Sequence, residues 1–176
     1  MATEAALPVL IISGTVGSGK TTIGLAVHEL LEAQQVPHAF LDVDRLADTW
    51  PHYGRFNQDI VFEALRVLWP VYQQAGAERL VLAYVVEHRD ELARYEAALG
   101  PCVCTIARLT ASSSGLDERI ALREFGDTRD WHLRRTRELD AILDQTQAFD
   151  VSVPNEERLP CEVADDLLRR IGWLKG

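Results

Sequence analysis

Short apolar runs alternate along the chain with longer stretches in which apolar residues recur every three to four positions. The runs Leu7–Ser13, His38–Leu41, Leu80–Val86, Cys102–Arg108 and Phe149–Val153 consist mostly of Val, Ile, Leu, Ala, Phe and Cys. Few polar positions interrupt them, which is the pattern of strands buried on both faces. The stretches Lys20–Gln34, Gln58–Gln74, His88–Leu99, Leu116–Glu124, Trp131–Gln145 and Cys161–Leu174 have helical period and length. Strand and helix in alternation predict an α/β fold: a five-stranded parallel sheet covered by helices on both faces and joined by right-handed crossovers. Pro70, inside the second helical stretch, predicts a kink or a break there. Ser112-Ser113-Ser114-Gly115 predicts a turn and N-cap opening the arginine-rich helix.

Size and composition narrow this picture. With 176 residues, 47% of them hydrophobic, the chain has the size of one domain, 1–176, with a core of its own. A net charge of −9 argues against duplex DNA or an anionic membrane as principal partner, since both require a positive surface. Arginine supplies nearly all the positive charge, and Lys20 and Lys175 are the only lysines. A lysine at position 20 is therefore conspicuous. Cys102, Cys104 and Cys161 are odd in number and lack C-x-x-C spacing, so they fit neither a disulfide framework nor a zinc site. They read as small hydrophobes in a reducing compartment. No Lys/Arg cluster or small-residue cleavage pattern precedes Leu7–Ile12, and no run approaches the length of a membrane span, so the expectation is a cytoplasmic protein.

The chemistry begins where the first apolar run ends. Gly14-Thr15-Val16-Gly17-Ser18-Gly19-Lys20-Thr21 satisfies G-x-x-x-x-G-K-[ST] between a predicted strand and a predicted helix. Glycines let the backbone curl so that successive N–H groups face phosphate oxygens, and the helix adds its positive end. In that reading Lys20 bridges the β- and γ-phosphates of a nucleoside triphosphate, the Thr21 hydroxyl ligates Mg²⁺, and Thr22 completes the phosphate-binding segment.

With this loop, with Leu41-Asp42-Val43-Asp44-Arg45-Leu46 after the second strand, and with Leu116-Asp117-Glu118-Arg119 followed by Arg123, the sequence resembles the small P-loop kinases. That family includes adenylylsulfate kinase, gluconate and shikimate kinases, and chloramphenicol phosphotransferase. The resemblance implies a three-layer P-loop fold with an arginine-bearing helical lid at about 109–137, ATP and Mg²⁺ as cofactors, and transfer of the γ-phosphoryl group to a small-molecule hydroxyl. In such kinases an acidic residue beyond the second strand orients metal-bound water or accepts the acceptor's proton. Asp42 and Asp44 both match. Two apart in an extended segment, they would point the same way and share one metal–water shell. The run Val43-Asp44-Arg45-Leu46-Ala47-Asp48-Thr49-Trp50-Pro51 is similar to the V-D-S-L-x-D-x-x-P run of chloramphenicol phosphotransferase-like chains, which favours Asp44 as base and Asp42 beside the metal. The other reading of Asp44 is a turn cap.

Arg119 and Arg123 match the family's L-x-x-R-x-x-x-R lid pattern and lie one helical turn apart, where they would close over the transferring phosphoryl group. The same residues also read as a solvated, salt-bridged helix face. Arg45, Trp50, Tyr53, Arg55 and Asn57 fall where this family holds its acceptor, and aromatic faces and directed polar groups suit that task. By position, Asn155 after the last strand and a lid arginine fall to the base of the nucleotide. Glu87, at the end of a third strand that lacks a Walker B aspartate, is either a metal ligand or a surface residue. Two further readings stay open: a nucleoside or nucleotide kinase, and a nucleotide-dependent hydrolase or switch. The sequence names neither the acceptor nor the oligomeric state.

Overall fold

The computed structural model describes residues 5–53, 55–123 and 125–174, apart from the side chains of Arg55 and Arg123. Five strands, β1 (Leu7–Ser13), β2 (Ala39–Asp42), β3 (Leu80–Ala83), β4 (Cys102–Thr110) and β5 (Val151–Pro154), form one wholly parallel sheet in the order β2-β3-β1-β4-β5. Six helices connect and cover them: α1 (Lys20–Ala33), α2 (Gln58–Gln74), α3 (Leu92–Leu99), α4 (Ser113–Arg123), α5 (Gly126–Thr146) and α6 (Pro160–Arg170).

The central strand shows why the sheet is sandwiched. Val9 and Ile11 project into a core shared with Leu65 and Tyr95 from α2 and α3, while Leu10 and Ile12 project into a second core shared with Val27 and Leu167 from α1 and α6. All four β1 residues are fully buried, so neither face tolerates water. β1 also sits where the strand order reverses direction. The crevice beyond the carboxyl ends of its neighbours is the place such sheets offer to a ligand.

Several boundaries differ from the sequence reading. β3 stops at Ala83 rather than Val86, because β2 supplies no rung beyond Asp42 and β1 turns into the glycine loop after Ser13; Val86 N–H instead donates to Ser13 Oγ at 3.1 Å. α2 continues through Pro70 as a single helix, so of the predicted kink or break the break is not found. Pro70 lies on the exposed side, so the carbonyl it leaves unpaired faces water, while Val61, Phe62, Leu65 and Trp69 anchor the opposite face in the core. α4 begins at Ser113, earlier than predicted, with the Ser112 hydroxyl accepting Gly115 N–H at 3.1 Å. α5 begins at Gly126 rather than Trp131, and α6 ends at Arg170 rather than Leu174. No helix among the described residues is long and apolar enough to cross a membrane.

Candidate active site

Between β1 and α1 the glycine loop turns tightly, with positive φ at Gly14, Gly17 and Gly19. At Gly19 (φ 94°) a side chain is excluded sterically as well, since a Cβ there would lie 2.5 Å from Asn155 Nδ2. Lys20 opens α1 and folds back over the loop, its Nζ donating to the carbonyls of Gly14 (3.2 Å) and Thr15 (3.1 Å). The one ammonium of the loop is thus held at its centre. Thr15 and Ser18 are buried beneath, and the Ser18 hydroxyl has no hydrogen-bond partner among the described residues. Val16, Gly17, Gly19, Lys20, Thr21 and Thr22 form one wall of a cavity of about 700 Å³.

Thr21 faces the end of β2. Its Oγ1 donates to Asp42 Oδ2 at 2.9 Å, and Asp42 Oδ1 is buried without a hydrogen-bond partner among the described residues. A hydroxyl beside a carboxylate with one unsatisfied oxygen is a hard, all-oxygen donor set, which fits Mg²⁺ or the water bound to it. The predicted extended pairing of Asp42 with Asp44 is not found. β2 ends at Asp42, and Val43–Ala47 is a 3-10 turn pinned by fully buried Val43. Asp42 therefore stays at the threonine, while Asp44 lines the cavity further on.

The cavity is also walled by Tyr84, just after β3, and by α5. Burial pushes the Tyr84 phenol up to about 12, with the negative charge of Asp44 adding to the effect, so the ring carries its proton across the physiological range. From α5, Trp131, His132, Arg135 and Leu139 reach the same space. Arg135 is buried, ion-paired with Glu87, within 2.8 Å of Glu138, and its guanidinium lies 5.3 Å from the centroid of the Phe56 ring. Glu87 thus stands in the cavity wall, partly buried by its pairing with Arg135.

The arrangement of α5 depends on two ties. Arg108 on β4, itself buried, reaches Asp140 (2.9 Å) and Asp144 (2.7 Å), and Thr136 Oγ1 donates to Val16 in the glycine loop at 3.3 Å. On the other side of the loop, Arg119 from α4 donates to Asn155 O at 2.6 Å and Gly17 O at 3.4 Å. Asn155 in turn donates from Nδ2 to Ser18 O at 2.7 Å. Arg119 and Asn155 therefore meet each other and the glycine loop, and neither lines the cavity with Asp44. The side chain of Arg123 lies outside the described residues.

No protein-family model matches this sequence, and no curated protein matches it. The backbone does match solved structures along nearly its whole length. A shikimate kinase from Acinetobacter baumannii in complex with shikimate aligns over 98% of this chain and 96% of its own, at 17% identity and TM-score 0.61. A tunicamycin resistance protein from Deinococcus radiodurans aligns over 94% and 96%, at 16% identity and TM-score 0.66. An unliganded sugar kinase from a Janibacter species aligns over 96% and 95%, at 16% identity and TM-score 0.59. The fold is that of the P-loop kinases.

Within that fold the segment predicted to hold an acceptor divides. Asn57 borders the cavity, but its amide is engaged in the loop: Oδ1 accepts Tyr53 N–H at 2.6 Å and Nδ2 donates to Ala47 O at 2.7 Å. Trp50 is 82% exposed and stands edge-on to His52. Tyr53 is exposed and borders a separate groove along the outside of α2. Arg45 is exposed and lies 3.5 Å from Asp48. The side chain of Arg55 lies outside the described residues. The residues the sequence reading did not place at the site are Tyr84, Trp131, His132 and Arg135, the last of which it counted only among the arginines of the lid segment. A signal for two of them exists: positions 132, 135, 136, 139 and 143 fall on one helical stripe, which puts His132 and Arg135 in line with buried Leu139 and Leu143. Trp131 stands one residue before that stripe.

Proposed function

We propose that the protein is an ATP- and Mg²⁺-dependent phosphotransferase that moves the γ-phosphoryl group to a hydroxyl of a small molecule. The observation that carries this reading is the shared cavity: Lys20 and Thr21 of the phosphate loop and the carboxylate of Asp44 line one space of about 700 Å³, the size of a small-molecule site.

In this reading Lys20 leaves its loop carbonyls and bridges the β- and γ-phosphates, with the loop from Gly14 to Thr22 around them. Thr21 and Asp42 would hold Mg²⁺ and its water, and the ion would supply charge neutralisation to the phosphates. Asp44 accepts the proton of the acceptor hydroxyl as that oxygen bonds to the γ-phosphorus and the bond from phosphorus to the ADP oxygen breaks. Tyr84, still protonated, donates within the same pocket. Arg119 clamps Gly17 to the Asn155 turn, which gives Arg119 and Asn155 the nucleotide side of the reaction. The sequence pattern that pairs Arg123 with Arg119 gives Arg123 the charge that closes over the transferring group.

The test is ATP consumption by the purified protein with Mg²⁺, in the presence and absence of hydroxyl-bearing metabolites, nucleosides and antibiotics. Consumption that rises only with an acceptor supports the proposal. An equal rate in every well contradicts it and points to a hydrolase or a nucleotide-driven switch.

A further inference from the structure

Cys102 and Cys104 stand on the first half of β4 and take no part in the cavity. One residue separates them, so on an extended strand both side chains fall on the same face, while Val103 turns the other way and is 62% exposed. The cysteine face also carries Ile106 into the core with Leu65 and Tyr95, and both cysteines pack against the edge of that core. Neither is sealed in. β5 pairs with β4 only from Ala107 onward, so among the described residues no strand covers the outer edge beside the cysteines. Both are half-buried, and both carry free thiols.

Their Sγ atoms lie 3.7 Å apart. An ion held tetrahedrally by thiolates at about 2.3 Å puts two of its sulfurs about 3.8 Å from each other. The pair therefore already has the spacing of two corners of such a site. A disulfide needs about 2 Å between the sulfurs, and the backbone does not supply the difference. Cys102 and Cys104 are fixed in register against Leu7 and Val9 of β1. Two strand rises keep their Cα atoms about 6.6 Å apart, at the long end of the disulfide range. Thiolate sulfur is a soft ligand that selects ions such as Zn²⁺ over Mg²⁺. Among the described residues no group of three or more His, Cys, Asp and Glu gathers to hold a metal. The pair thus offers two positions of the usual four, and water or a small thiol fills the others.

We infer that Cys102 and Cys104 form a two-thiolate binding site for a soft d¹⁰ cation of the Zn²⁺ and Cd²⁺ kind, at the end of the sheet opposite the phosphate loop. Cys102 lies beside Leu7, the first residue of β1, whereas the glycine loop follows Ser13, the last. The site is therefore independent of the phosphotransferase reading. The C-x-C spacing, which by itself matches neither a disulfide framework nor a closed zinc site, becomes a chelating pair because β4 is extended there.

Cd²⁺ alone is the probe, because its bonds to thiolate give an ultraviolet charge-transfer band that oxygen ligands such as Thr21 and Asp42 do not. The reduced protein, titrated with Cd²⁺, should develop the band and saturate at a single equivalent. Zn²⁺ should displace the probe, and excess Mg²⁺ should not. Cys102→Ser and Cys104→Ser should each weaken binding by about a hundredfold or more, since each removes one of two linked ligands. Cys161→Ser should leave it unchanged. Circular dichroism reports that each variant is folded. In urea the C-x-C segment persists without its strand geometry, and the affinity of the unaltered protein should fall by on the order of tenfold. That comparison stands even where a serine variant fails to fold. Absence of the band, a band that survives in both Cys102→Ser and Cys104→Ser, a band lost with Cys161→Ser, or equal affinity in folded and unfolded protein overturns the inference.

Discussion

Asp42 accepts the Thr21 hydroxyl on Oδ2 at 2.9 Å, while its Oδ1 is buried with no hydrogen-bond partner among the described residues. The carboxylate closes one end of the phosphate loop and leaves one strong acceptor toward it. Asp42→Asn preserves the shape and a hydrogen bond to Thr21 but removes the charge. The expected outcome is an intact fold and a nucleotide affinity that falls by about ten- to a hundredfold only when Mg²⁺ is present. Nucleotide titrations with Mg²⁺ and with EDTA check it; equal losses in both arms would make Asp42 a purely structural residue.

Gly19 and Asn155 occupy space that a single methyl group would fill. Gly19→Ala puts a Cβ 2.5 Å from Asn155 Nδ2 and forces alanine to φ 94°, which costs on the order of 1–3 kcal/mol of stability. Denaturant unfolding measures the loss. The double variant with Asn155→Ala recovers the steric part and not the backbone part, and a double-mutant cycle with strictly additive losses would show that the clash plays no role.

The parts of this site carried by backbone pattern were legible in the sequence. Strand, three glycines, lysine and helix follow in an order that permits little else, and the structure has them in that order over β1 and α1. Asp42 and Asp44 show where the reading stopped. Their separation was read as extended, but the last rung of β2 pairs Asp42 with Ala83 and buried Val43 turns the chain immediately afterwards. A strand's end depends on its neighbour's length, which local pattern does not carry. Trp50 and Tyr53 look like ligand-facing aromatics in sequence, yet both are exposed, while Phe56 reaches the cavity. Arg134, Arg135 and Arg137 are equivalent as composition. Only their phase against Leu139 and Leu143 separates the buried one from its neighbours, so the burial of Arg135 was present as a period and was obscured by its charge.

Tyr84 supplies a prediction in pH. Its phenol is raised from 10.0 to about 12 by burial, with a further contribution from Asp44. Between those values the unfolded chain loses its tyrosine proton while the folded chain keeps it, so stability falls as pH rises through that window. Integrated, the loss is on the order of 2 kcal/mol. Tyr95 is buried and raised as well, so the measurement is a comparison: Tyr84→Phe should show a shallower decline in unfolding free energy above pH 10 than the unaltered protein. Parallel curves would place the Tyr84 phenol in a solvent-like environment.

The fate of the γ-phosphoryl group tests the central claim most directly. ATP labelled at that group is incubated with the protein, Mg²⁺ and an acceptor identified by its stimulation of ATP consumption, and the products are separated into inorganic phosphate and phosphorylated organic compound. With the unaltered protein the label should leave as the organic product. With Asp44→Asn, which lines the same cavity but cannot take up the acceptor's proton, nucleotide should still bind while transfer falls by about a hundredfold or more. Label released only as inorganic phosphate, at a rate indifferent to the acceptor and to Asp44, would contradict the account.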